Sequence, residues 1–104
     1  MAIQTTEVVN SDTTVYTSSD NSAITYAAFT NYTSSTISID IHIVPSGDSV
    51  GNVNCIAKSL EITATDTYQL YAGGEKLLLG NNDFISAVAN VATGVNSVIS
   101  YTGI

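Results

Sequence analysis

The stretch Thr36–Val44, Thr-Ile-Ser-Ile-Asp-Ile-His-Ile-Val, most constrains what this chain can fold into. It alternates without a miss from Thr36 to Ile43. Ile37, Ile39, Ile41 and Ile43 fall on one side, and Ser38, Asp40 and His42 on the other. Successive side chains of a β-strand point to opposite faces, so the segment reads as a strand with one apolar and one polar face. Isoleucine is stiff at χ1 and packs well on a pleated surface. The strand stops at Pro45, the sole proline, followed by Ser46-Gly47-Asp48. Proline cannot donate to a ladder, and Gly and Asp suit turns. Four isoleucines on one face require a second apolar layer to cover them.

The rest of the chain can supply that layer. Residues 3–9 form a first strand or an extended arm. Strands are expected at 13–17, 23–31, 53–62, 67–71, 76–79, 84–91 and 95–102, with turn formers between them. In 23–31 both faces are apolar, with Ile24, Tyr26 and Ala28 on one and Ala27 and Phe29 on the other. Residues 84–91 are also apolar on both faces, and Ala92-Thr93-Gly94 is expected to make a hairpin into 95–102. A helix over 83–92, capped by Asn82, competes with the strand there. Ala72–Glu75 reads as a loop. Eight or nine short strands at this spacing predict an all-β fold: one antiparallel β-sandwich of about eight strands, Ig-like or jelly-roll-like, over residues 1–104.

Composition narrows function. The chain has 104 residues, 9 acidic and 2 basic, for a net charge of −7. That balance argues against binding nucleic acid or an anionic membrane, since both need a basic contacting face. Ser and Thr, 13 and 14 copies, stand where charged residues usually do. Hydroxyls cost less to desolvate than charges, which suits outer faces that neighbours cover. The strand propensity of Thr accounts for the same numbers. One cysteine, Cys55, leaves no internal disulfide and reads as a small apolar filler. The first residues show no basic and apolar leader pattern, so no secretory signal is expected. Asn31-Tyr32-Thr33 matches the glycosylation sequon, read here as coincidence.

Candidate chemistry is sparse. With one histidine, any nucleophile–base site must use His42, which shares a strand face with Asp40. The pair lacks a third partner and reads as a solvated face. No zinc spacing occurs. Gly47-Asp48 and Asn81-Asn82-Asp83 could offer oxygens to calcium, but turn chemistry accounts for both. The six tyrosines (16, 26, 32, 68, 71, 101) could line a sugar-binding face or pack in the sheets. No catalytic residue, cofactor or metal is expected, and the chain reads as non-enzymatic.

Several segments together resemble a group of small all-β virion proteins of tailed bacteriophages, cyanophage members above all. They are Thr14-Val-Tyr-Thr17, the strand from Ala23 through Phe29 to Asn31, Ile43-Val-Pro-Ser-Gly47, Asp66-Thr-Tyr68, Glu75-Lys-Leu-Leu-Leu79, Asp83-Phe-Ile-Ser-Ala87 and Ser100-Tyr-Thr-Gly-Ile104. The resemblance implies a capsid decoration (cement) protein made in the host cytoplasm. It would dock on the major capsid protein at the outer capsid surface and stabilise the head. It also implies a homo-oligomer, with a trimer favoured. A small tail, neck or fibre component contacting host glycans is the alternative. The doubly apolar strands nominate Tyr26, Phe29, Phe84 and Val88 as interface residues, and Tyr101 of the last strand is a fifth candidate.

Overall fold

The computed structural model describes residues 2–70 and 77–104. Tyr71, the expected loop Ala72–Glu75 and Lys76 lie outside the described residues. Nine strands follow one another: β1 (Ala2–Val8), β2 (Thr13–Thr17), β3 (Ser22–Asn31), β4 (Ile37–Val44), β5 (Cys55–Ile62), β6 (Thr67–Leu70), β7 (Leu77–Leu79), β8 (Phe84–Ala89) and β9 (Val95–Gly103). A short 3-10 turn, Asn52–Asn54, precedes β5. The expected strand at 53–62 therefore starts at Cys55, and 84–89 is strand rather than helix. β1 is a paired strand, not a free arm.

Two sheets stack. One has the order β1-β9-β3-β6, with β7 also on β3; the other has the order β2-β8-β4-β5. β6 pairs with residues 27–30 of β3 and β7 with residues 22–24, so the two lie end to end along one edge of β3. Every pairing is antiparallel. The pairing is nested: β1 with β9, β2 with β8, β3 with β6 and β7, and β4 with β5. Among the described residues, β4 and β5 are the one consecutive pair that is hydrogen-bonded. This is the rolled double Greek key of a jelly roll, not the hairpin-rich immunoglobulin order.

The isoleucine strand sits where its pattern demands. Ile37, Ile39 and Ile41 are buried between the sheets, and half-buried Ile43 packs against the same core. Facing them from the other sheet are Val8, Ile24, Ala27, Phe29, Val95 and Ile99. Phe29, expected at an interface, is fully buried in this core. The cause is a β-bulge in β3. Ile24 opposes Tyr101 and Tyr26 opposes Ser100, which leaves Thr25 as the extra residue. The bulge shifts the alternation by one, so Ile24 points inward and Tyr26 outward rather than sharing a face. Ala27 and Phe29 then point inward.

The expected hairpin at Ala92–Gly94 is not one. β8 and β9 belong to different sheets, so residues 90–94 arch from one layer to the other. Gly94 makes that arch possible. Its φ is +143°, and a Cβ there would lie 2.6 Å from Ile37 Cδ1 and 2.9 Å from Thr33 Cγ2. Any side chain at this position would be both strained and overpacked against the isoleucine strand.

Candidate functional site

His42 and Asp40 do share a strand face, yet they serve different partners. The expectation of a solvated pair fails for His42, which is 5% exposed. Its Nδ1 lies 3.0 Å from the Gly51 carbonyl and 3.0 Å from Asn54 Oδ1. Both are acceptors, so Nδ1 carries the proton and donates. Asn54 completes the clamp: its Oδ1 accepts from Gly51 N at 3.2 Å, and its Nδ2 donates to the Ser49 carbonyl at 2.9 Å. The imidazole thus ties the loop after Pro45 to β4.

That clamp presents an apolar knob. Val53, at the middle of the 3-10 turn, is 100% exposed, and half-exposed Ile56 stands beside it on edge strand β5. An open depression of about 410 Å³ lies alongside, lined by Asn52, Cys55, Ile56, Ala57 and Lys58. Cys55 is half-buried and donates its thiol proton to the Ala57 carbonyl at 3.3 Å.

Asp40 serves edge strand β5. Its Oδ1 accepts from Ser59 N at 2.7 Å, and its Oδ2 meets Lys58 Nζ at 3.3 Å. Ser59 has φ +52°, where the β4–β5 register slips. Asp40 therefore holds an edge bulge, and the charged Lys58 sits on the same stretch. Both features discourage stray strand pairing at an edge. The Ser59 N–H, above all, holds the Asp40 carboxyl below its ordinary range; burial opposes the shift, and Lys58 adds to it. A depressed folded-state pKa contributes stability that is present above the unfolded value and lost as pH falls through the folded one. Asp40→Asn keeps an acceptor for Ser59 but loses the charge. It is expected to cost on the order of 1 kcal/mol at pH 7. The gap between variant and wild type should close as pH falls below about 4 in urea titrations. A gap that persists unchanged at pH 2 would mean the carboxylate is not what matters.

The other polar candidates are spent on the fold. Asp83 accepts from Ser46 N at 2.8 Å and from Gly80 N at 2.8 Å, and Asn81 Oδ1 accepts from Asp20 N at 2.8 Å. These turn oxygens hold backbone, as turn chemistry predicts. Asn31, in the sequon, is fully buried with its amide donating to three carbonyls, so it cannot carry a glycan in the folded chain. Among the described residues no three His, Cys, Asp or Glu side chains are grouped to hold a metal.

The five nominated interface residues do not form one surface. Phe29 is core. Tyr101 points inward and packs against Tyr16, with ring centroids 4.5 Å apart and the planes tilted by 41°. Phe84 and Val88 are half-buried on the outer face of the β2-β8-β4-β5 sheet. Tyr26 alone of the five stands exposed on the outer face of the β1-β9-β3-β6 sheet. The tyrosines likewise share no face: Tyr16, Tyr68 and Tyr101 pack against the core, while Tyr26 and Tyr32 lie outside. Sequence reasoning missed Val53, which it placed in a strand; the following Asn54 was the available signal of a tight turn.

Register and alternation define the outer face around Tyr26. Its rows run Thr67, Thr30, Asn96, Glu7; then Gln69, Ala28, Val98, Thr5; then Tyr26, Ser100, Ile3; then Leu78, Ala23, Thr102. Ile3 and Leu78 are 69% and 63% exposed. Thr25 reaches Ser100 and Gln69 reaches Tyr26 through hydrogen bonds of 3.0 and 3.1 Å. Among the described residues, Glu7 is the one charged side chain on this face, and it accepts from the Tyr32 hydroxyl at 2.8 Å. That bond, chiefly, pushes the Tyr32 phenol pKa up.

No match to this chain is found among protein-family models, curated proteins or solved structures.

Proposed function

We propose that this protein is a non-enzymatic structural component of a phage particle. In this reading it decorates the capsid, docks on the major capsid protein and stabilises the head. The observation that carries the reading is where the molecule spends its polar groups. The one histidine, Asp40, Asp83, Asn31 and Asn54 all hold backbone, while the described outer face of the β1-β9-β3-β6 sheet is mostly uncharged hydroxyl and apolar surface. Such a molecule offers surfaces for adhesion rather than a reactive cleft. Fully exposed Val53, next in sequence to the Asn54 clamp, is suited to insert into a partner's pocket. Jelly rolls occur in viral capsid proteins and in lectins, a fold-level analogy that agrees with this reading without fixing it.

The experiment is to locate the protein in purified particles and then strip it. The expected result is labelling of heads, loss of heat resistance on stripping, and restoration by added wild-type protein but not by Val53→Asp. Labelling confined to tails, or absence from particles, overturns the reading.

A further inference from the structure

We infer that the outer face of the β1-β9-β3-β6 sheet is a self-association surface that takes a second copy of this chain about a two-fold axis. This rests on the docking reading above and names the partner for one of the two outward surfaces.

Charge placement selects the partner. The chain carries −7, so two copies repel wherever their carboxylates meet. Among the described residues, all but one of those carboxylates avoid this face. Asp12, Asp20, Asp48, Asp66 and Asp83 lie in the connections between strands, and Asp40 and Glu61 lie on the opposite sheet. Glu7 sits in one corner row and is hydrogen-bonded to Tyr32. A basic partner would be drawn to the acidic connections instead. The four-stranded face is thus where like-charged copies approach at least electrostatic cost.

Size and pattern agree. Four strands at ~4.8 Å spacing and about eight residues at ~3.3 Å give a face of roughly 500 Å². A pair would bury roughly 1,000 Å², the lower bound for a specific interface. A flat sheet face is self-complementary, and stacked sheets pack with their residues interdigitated. Each copy presents Tyr26, Ile3 and Leu78 as projecting apolar side chains among small hydroxyl residues, with Ala23 and Ala28 buried beneath them. A two-fold pair uses one patch twice, whereas a closed trimer needs two different patches per subunit. An interface at this lower bound has the size of weak, transient encounters.

Sedimentation equilibrium of the purified chain between about 5 and 300 µM tests this. The expected result is a monomer–dimer equilibrium that tightens severalfold when salt rises from 0.05 to 0.5 M, because added salt screens the repulsion between the acidic copies. Tyr26→Glu and Val98→Glu place carboxylates at the centre of the face and are expected to abolish the dimer. Circular dichroism checks that each keeps its fold. Val53→Asp is expected to leave the dimer intact. A wild-type chain that stays monomeric throughout overturns the inference, as does a dimer insensitive to both face variants. Folded face variants that remain monomeric while wild type pairs support it. A monomer that binds stripped heads through Tyr26 would assign the face to the capsid and also overturn it. The docking reading fails separately, by absence from particles, so the two outcomes are distinguishable.

Discussion

Asn31→Asp should cost this protein about 3–5 kcal/mol, the penalty of leaving a buried charge without its partners. Asn31 is fully buried at the end of β3. Its Nδ2 donates to the carbonyls of Ser35, Ile62 and Thr63 at 2.7, 2.9 and 3.3 Å. Its Oδ1 accepts from Thr33 N and Thr33 Oγ1 at 2.9 and 2.7 Å. One side chain thereby joins the end of β3, the turn into β4 and the turn after β5. Aspartate keeps the acceptor role and faces three carbonyl oxygens with no donor. Domains of this size are stable by about 5–15 kcal/mol, so much of that margin goes. Urea unfolding at pH 7 measures it. The loss should shrink at low pH, where a protonated carboxyl regains one donor. A loss below about 1 kcal/mol would show that the three carbonyls do not depend on this amide.

Phe29→Ala is the second large effect. The ring is fully buried in β3, opposite Ser97 of β9 and Tyr68 of β6. Truncating a buried Phe to Ala removes its transfer energy and leaves a cavity, for about 3–5 kcal/mol. For a domain near 100 residues each kcal/mol lowers Tm by about 4–8 °C, so the drop should exceed ~12 °C. Tyr26→Ala, three residues away and outside, should stay within about 1 kcal/mol. The contrast bears directly on how β3 is divided between core and surface. Equal losses at both positions would mean that Tyr26 and Phe29 are not divided between surface and core in this way.

That bulge shows where sequence reading stops. Period-two alternation made β4 legible, because four isoleucines admit one buried face. The class of fold followed from it and from the turn formers between strands. A bulge carries no compositional mark. Nothing in Ala23–Asn31 announces that Thr25 is an extra residue, so Phe29 read as a surface residue and Tyr26 as a companion of Ile24. The same holds for β2, where a register slip between Thr14 and Tyr16 lets Val15 and Tyr16 both be buried. Side-chain roles in turns were less legible still. His42 and Asn54 are twelve residues apart, and only the folded loop brings them to 3.0 Å. Asn31 carried a modification motif in sequence and a structural hub in space. The arch at Gly94 read as a hairpin because local turn signals do not say which layer the next strand will join.

The nested pairing also dictates an order of events during synthesis. Ala2 lies opposite Tyr101, and Ser22 opposite Gly103, so two strands made early close only against one made late. β4 and β5, joined by a local loop, can pair as soon as they leave the ribosome. The Tyr26 sheet can pair β3 with β6 and β7 before β9 is made but cannot close onto β1, since β9 lies between β1 and β3. Distant closures of this kind are slow to find. Until β9 arrives, β1 and one side of β3 have bare edges, whose unpaired N–H and C=O groups are open to pairing with another incomplete chain.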